Sequence, residues 1–230
     1  MPLPELEAIG LAWARVFPTL SIVPAFGLKA LPTPVRGLLA LALAASIYPA
    51  LGPIAVTPGR PWVVLALEQI VLGLPVALAA AVPLWAATMA GGVVDTLRGA
   101  NDSSGLAVVE GKASSFGILL SLFASLTFLA TGGPARVVAA LAKGDFPHHP
   151  LLAAAHDLTA GISLAVAIAG PLLAAAVVLE VAFALVARAA SPAQVHSLLA
   201  PLRALGLLAG MAIVLDRVGA LLATAVRARP

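Results

Sequence analysis

The chain contains no cysteine. Disulfide frameworks, cysteine metal sites and thiol catalysis are therefore all excluded. Charge is nearly as scarce: 10% of the 230 residues are Asp, Glu, Lys or Arg, and aromatic residues make up 5%. Soluble domains carry roughly 25% charged residues and about 45–50% apolar ones. Here 61% are hydrophobic and the mean hydropathy is +1.08, so too few polar side chains exist to coat a water-soluble globule of this size. The isoelectric point near 10.0 reflects a formal charge of only +3, spread thinly along the chain. No Lys/Arg block or basic-aromatic stripe of the kind nucleic acid requires is present, and no nucleic-acid partner is expected. The opening "MPLPELEAIGLAWARVF" is acidic where a signal peptide has a basic region, so no cleaved presequence is expected.

Long apolar runs are what the chain does have. A bilayer-spanning helix needs about 20 mostly apolar residues. Gly37–Gly59, Gln69–Val94, Ala113–Ala135 and Leu158–Leu179 are charge-free runs of that kind. Two further segments, roughly Glu5–Phe26 and Pro192–Arg227, read as long helices that admit polar residues at intervals. The breaks between them are Pro/Gly-rich: "GLKALPTPVRG", "LGPIAVTPGRP", "TGGPARVVAALAKGDFPHHP" and "ARAASPAQVHS". The third encloses an amphipathic piece, Ala135–Lys143, suited to an interfacial helix. In the fourth, Ser191 is placed as an N-cap with Pro192 at the first helical position. The expectation is an all-α, integral-membrane fold of about six long helices joined as hairpins, forming one domain over residues 1–230. Pro18, Pro24, Pro49, Pro75, Pro83, Pro171 and Pro201 fall inside those helices and should kink them.

The excess of Lys and Arg on cytoplasmic loops should orient such a chain. Lys29 and Arg36 favour the first loop as cytoplasmic, whereas Arg227 and Arg229 favour the C-terminus. Six spanning helices would put these regions on opposite sides. Either one segment does not span, or the helices do not cross in the ordinary serpentine way.

No ATP-binding loop, zinc-protease helix or nucleophile elbow occurs, and no catalytic pair or cofactor site is expected. "GGVVD" would need a second acid on a facing helix to make a membrane aspartyl protease. His148, His149 and His156 lie near Asp145 and Asp157 in a Pro-rich stretch and read as solvated surface rather than a metal site. Glu68 and Glu180 stand in apolar helices, where an acid is a functional hypothesis by default. The structural alternative is an interhelical pair with Arg15, Arg188 or Arg203. A proton-coupled or small-solute permease subunit carrying its ion on Glu68 and Glu180 is the competing functional reading.

The other polar concentration is "VVDTLRGANDSSG". If the third long helix continues past Val94, Asp95 and Arg98 are i,i+3 neighbours and Arg98 and Asp102 are i,i+4, on one face. Gly99, Asn101, Ser103, Ser104, Gly105, Glu110, Lys112, Ser114 and Ser115 keep the chain polar until the next apolar run. Such a stretch is either an exposed loop or irregular backbone lining a wet cavity.

The order of these features resembles the SctT family of type III secretion export-apparatus proteins, relatives of the flagellar protein FliR. The resemblance rests on "RVFPTLSIVPAFGLKALPTPVRGLLALALAASIYP" (Arg15–Pro49), "EQIVLGLPVALA" (Glu68–Ala79), "AGGVVDTLRGANDSS" (Ala90–Ser104), "FLATGGPARVVAALAKGDFPHHP" (Phe128–Pro150) and "PLLAAAVVLEVAFALVARAASPAQVHSLLAPLRALGLL" (Pro171–Leu208). The Asp95–Arg98–Gly99 pattern looks more like the injectisome branch than the flagellar one. The resemblance implies a non-enzymatic subunit of the bacterial inner membrane, multi-pass, at the base of a secretion system. It would assemble with several SctR- and SctS-like subunits, next to an SctU-like switch protein, into a channel for unfolded polypeptides. It also implies that residues from about Asn101 to Ser115 contribute to a plug, with Asp95, Arg98 and Gly99 at its base.

Overall fold

The computed structural model describes residues 3–26, 32–50, 59–98, 115–144, 146–189 and 195–228. All regular structure among them is helical: α1 (Leu3–Ile22), α2 (Thr33–Ile47), α3 (Trp62–Arg98), α4 (Ser115–Ala130), α5 (Gly133–Lys143), α6 (Pro150–Ala189) and α7 (Val195–Arg227). Short 3-10 turns follow α1 (Pro24–Phe26) and α2 (Tyr48–Ala50). The all-α expectation holds.

Proline sets several boundaries. Pro18, Pro75, Pro83, Pro171 and Pro201 are helix-internal as expected. Pro24 and Pro49 instead lie in the two 3-10 turns, because a residue without an N–H cannot continue the ladder of the preceding helix. The run Gly37–Gly59 is thus not one helix; α2 ends at Ile47. The run Ala113–Ala135 is also divided. Gly132 adopts a left-handed φ of 73° and Pro134 opens α5, so α4 and α5 meet at a 63° bend. The amphipathic piece is α5, which buries Val137 and Leu141 and ends at Gly144, also left-handed at φ 67°. The proposed cap at Ser191 and the acid Asp145 lie outside the described residues.

Helix α3 is the axis of the molecule. From Val76 to Val94 most residues are buried, and α1, α4 and α6 pack along α3. Named contacts give the directions. Gly10 faces the Trp62 ring, and Arg15 bonds to Gln69, so α1 and α3 run parallel. Trp13 Nε1 donates to the Gly37 carbonyl at 2.9 Å, tying α2 to α1. Gly91 meets Gly117, making α4 antiparallel to α3. Ala154 packs with Leu78 and Val82, and Gly161 lies on Val82 further along, so α6 runs parallel to α3. Gly206 faces Leu179 and Gly210 faces Leu172, making α7 antiparallel to α6. Hence α1, α3 and α6 ascend, and α4 and α7 descend.

The helices are uneven in length. α1 meets Trp62 at Gly10 and ends at Ile22, and Phe26 beyond it lies edge-on to Phe128 with ring centroids 6.2 Å apart. Helix α1 therefore reaches only part of the way along α3. Arg36, next to the Trp13-bonded Gly37, sits near the level of Gln69 rather than beyond the far end of α3. Helix α6 shows the opposite mismatch. In register with α3 through Gly161, it outlasts Arg98 by roughly 18 Å at 1.5 Å per residue, accompanied there by α7. That stretch exposes Val177, Val178, Val181, Leu185 and Val186. Thr33–Ala50, Trp62–Leu97, Pro150–Ala189 and Ala204–Arg227 are long and apolar enough to cross a membrane, and the bent α4–α5 pair could make a fifth span.

Candidate functional site

The polar segment singled out in the sequence is anchored at both ends. α3 continues through Arg98, so Asp95 and Arg98 do share a helix face, and α4 begins at Ser115, which is exposed. Gly99, Asn101, Asp102, Ser103, Ser104, Gly105, Glu110, Lys112 and Ser114 lie outside the described residues, as does the side chain of Arg98. The structure does place Asp95. It is 1% exposed, and its Oδ2 accepts a 2.6 Å hydrogen bond from the backbone N–H of Phe116, 21 residues away.

The first turn of any helix leaves N–H groups without an internal partner, and a carboxylate there also meets the positive end of the helix dipole. Asp95 thus caps α4 from a different helix. Gly91, one turn earlier, allows the backbones to touch: a Cβ there would lie 2.5 Å from the Phe116 oxygen and 2.6 Å from the Gly117 Cα. Ala90, Val94 and Leu120 close the apolar surround. We refer to this arrangement as the α3–α4 joint. Sequence reading put Asp95 at the base of the polar segment but missed Phe116 as its partner, since a backbone donor leaves no signature in side-chain identity.

The candidate intramembrane charges separate into different environments. Glu68 is bonded to Arg60 at 2.6 Å, both side chains about half exposed, and not to Arg15. Arg15 is 7% exposed; its Nε donates to Gln69 Oε1 at 2.8 Å and its guanidinium stacks 4.9 Å from the Phe146 ring centroid. Glycine 73, on the same helix as Gln69, receives the Arg15 backbone at close range. Arg60, Gln69 and Phe146 were not singled out in the sequence. Arg60 could have been, as a cation two turns before Glu68 at a helix start. Glu180 and Arg188 are both exposed on the part of α6 that outlasts α3, and Arg188 stands in the last helical turn, where a cation suits the dipole. The side chain of Arg203 is outside the described residues.

Because the Arg60–Glu68 pair is half exposed, Glu68→Gln should change stability by about 0.5 kcal/mol or less. Thermal unfolding of the detergent-extracted protein measures this. His148, His149, His156 and Asp157 line one open surface cavity of about 470 Å³, yet among the described residues no group of three His, Cys, Asp or Glu side chains could hold a metal ion.

Comparison with known proteins supplies the family. The chain is 38% identical over 73 residues to the secretion system apparatus protein SsaT of Salmonella typhimurium strain LT2. That match covers 31% of this chain and 28% of the relative. The model of the family described as bacterial export proteins, family 1, matches residues 6–228, from the first turns of α1 to the end of α7. Helices, hairpin order and the polar segment after α3 all fall within that match, and the chain belongs to the bacterial export proteins, family 1, the SctT/FliR family that its motif order resembles.

Proposed function

We propose that this protein is a non-enzymatic core subunit of a type III secretion export gate, acting as one unit over residues 1–230. It assembles with SctR- and SctS-like subunits, beside an SctU-like switch protein, into the channel through which unfolded polypeptides leave the cytoplasm. Its place is the bacterial inner membrane, multi-pass, with lipid around the assembly. The observation that carries the reading is the family match across residues 6–228. Uneven helix lengths support it. A first helix that stops partway along α3 and an apolar α6–α7 extension with exposed valines and leucines suit a subunit finished by neighbours, not a free-standing carrier.

The polar segment serves as the plug, with Asp95, Arg98 and Gly99 at its base and Asn101, Asp102, Ser103, Ser104, Gly105, Glu110, Lys112, Ser114 and Ser115 along it. Small and polar side chains there offer a passing polypeptide no adhesive surface. Deleting Ala100–Lys112 is expected to make the assembled complex leak ions. Conductance of reconstituted complexes measures it, and a deletion variant as tight as the intact protein would remove the plug assignment.

The permease reading requires Glu68 and Glu180 to carry an ion. Glu68 is instead held by Arg60 at an exposed position. Glu68→Gln is expected to leave both assembly and secretion at wild-type levels, measured by secreted substrate per complex. Loss of transport with assembly intact would move the assignment to the permease.

A further inference from the structure

We infer that the outer face of α7 is a docking surface for one membrane helix of a different subunit, which carries a basic residue opposite Asp216 and an acidic one opposite Arg217. This deepens the gate reading above and rests on it. Ala204–Arg227 is an apolar stretch of 24 residues, long enough to cross a membrane, and Asp216 and Arg217 stand at its middle. Both are exposed, and among the described residues neither forms a hydrogen bond or an ion pair.

Packing sets which side of α7 is left over. Leu207, Met211, Val218 and Leu222 are no more than 5% exposed, and α7 packs against α6, α3 and α4. Gly210 meets Leu172 of α6, and Gly219 meets Phe123 of α4. At 3.6 residues per turn, Ala209, Ile213, Asp216 and Ala220 fall opposite that buried stripe, with Arg217 at its margin.

Lipid does not suit this face. The middle of a 24-residue helix lies about 18 Å from either end, beyond the reach of an aspartate side chain to any headgroup. A charge facing hydrocarbon at that depth is costly, so such residues pair or face water. The 82% exposed Ile213 beside them suits a packed neighbour rather than a water-filled lining. Asp216 and Arg217 do not satisfy each other, because consecutive helix residues do not face one another. A second copy in the same membrane orientation would set Asp216 against Asp216, like charge on like. A different helix with complementary charges satisfies both groups, and the exposed Ala209 and Ala220 let its backbone approach closely.

The test uses the absence of cysteine. Ile213→Cys, labelled with a thiol-linked benzophenone, is photo-crosslinked in native membranes; the complex is then extracted, sized, and its crosslinked peptide sequenced. The expected product is an apolar helix of another membrane protein, with a basic and an acidic residue at the contact. Asp216→Asn is expected to lower that yield about tenfold or more, since it leaves the partner's charge unpaired. Asp216→Lys combined with reversal of the partner's basic residue is expected to recover most of it.

Crosslinks to lipid alone, to a secreted polypeptide, to a second copy of this chain or to a helix without the two charges overturn the inference. So does an unchanged yield in Asp216→Asn, or no recovery on charge reversal. Should Asp216→Asn fail to accumulate, Arg217→Gln decides by the same drop in yield. If such a result comes from a large complex holding other export subunits, the gate reading stands without the docking surface. If the labelled protein is extracted alone, the gate reading fails with it.

Discussion

Replacing Gly73 by alanine is expected to lower the unfolding midpoint of the protein by about 6–12 °C, which for a chain of this size corresponds to about 3 kcal/mol. A Cβ at Gly73 would be driven into the backbone carbonyl of Arg15, with the Arg15 carbonyl carbon 3.0 Å away. A clash with a flexible side chain can be relieved by a rotamer change. This one is with the main chain of another helix, so α1 and α3 must separate. Separation would also stretch the 2.8 Å bond from Arg15 to Gln69 and open the packing of Leu11 and Ala14 on Leu65 and Ala66. Overpacking a core typically costs 1–3 kcal/mol, and a rigid obstacle puts the cost at about the upper end or above. Membrane helices associate through close packing because lipid removes the hydrophobic drive between them, which makes this contact more important than its small area suggests. Gly37→Ala is the control. Nothing lies within 4 Å of a Cβ there, and the position is helical, so a gain of about 0.5 kcal/mol is expected from backbone entropy. Thermal unfolding of both variants in one detergent measures the contrast.

Phe128→Ala is expected to destabilise by about 3–5 kcal/mol and to loosen the bend between α4 and α5. Phe128 is 1% exposed and is among the largest fully buried side chains. Its ring lies against Phe26 at the end of the first helix, and against the backbone of Gly133 at the start of α5, where a Cβ would be 2.5 Å from the ring. One side chain therefore joins the α1–α2 hairpin, α4 and α5. Truncation leaves a cavity at that point and frees the 63° angle, which Gly132 permits but does not enforce. The stability loss is read from thermal unfolding. The loosened bend is read from faster amide exchange in peptides spanning residues 128–137, with peptides from the α6–α7 hairpin near wild-type values. Uniform acceleration across all helices would instead mean that the bend is not a separate element.

Composition and periodicity were sufficient for the membrane-type, all-α architecture, because the scarcity of charge and the length of the apolar runs leave few other solutions. They also located breaks between the helices, since proline and glycine act locally through missing donors and permitted φ values. Helix α5 was legible for the same reason: its two glycine ends and its apolar stripe are contained in a few consecutive residues. The family resemblance came from the order of motifs along the chain, and the match over residues 6–228 agrees with it.

Other properties required the tertiary structure. The partner of Glu68 depended on which cation lay nearest in space, and Arg60 took the place expected of Arg15, Arg188 or Arg203. Asp95 acquired its role from a backbone N–H on another helix. Sequence alone determined which segments are helical and apolar, because those properties arise from neighbours within a turn or two. Only the fold decided which polar groups meet, because contacts between helices depend on register and relative length, and these follow from packing of the whole bundle.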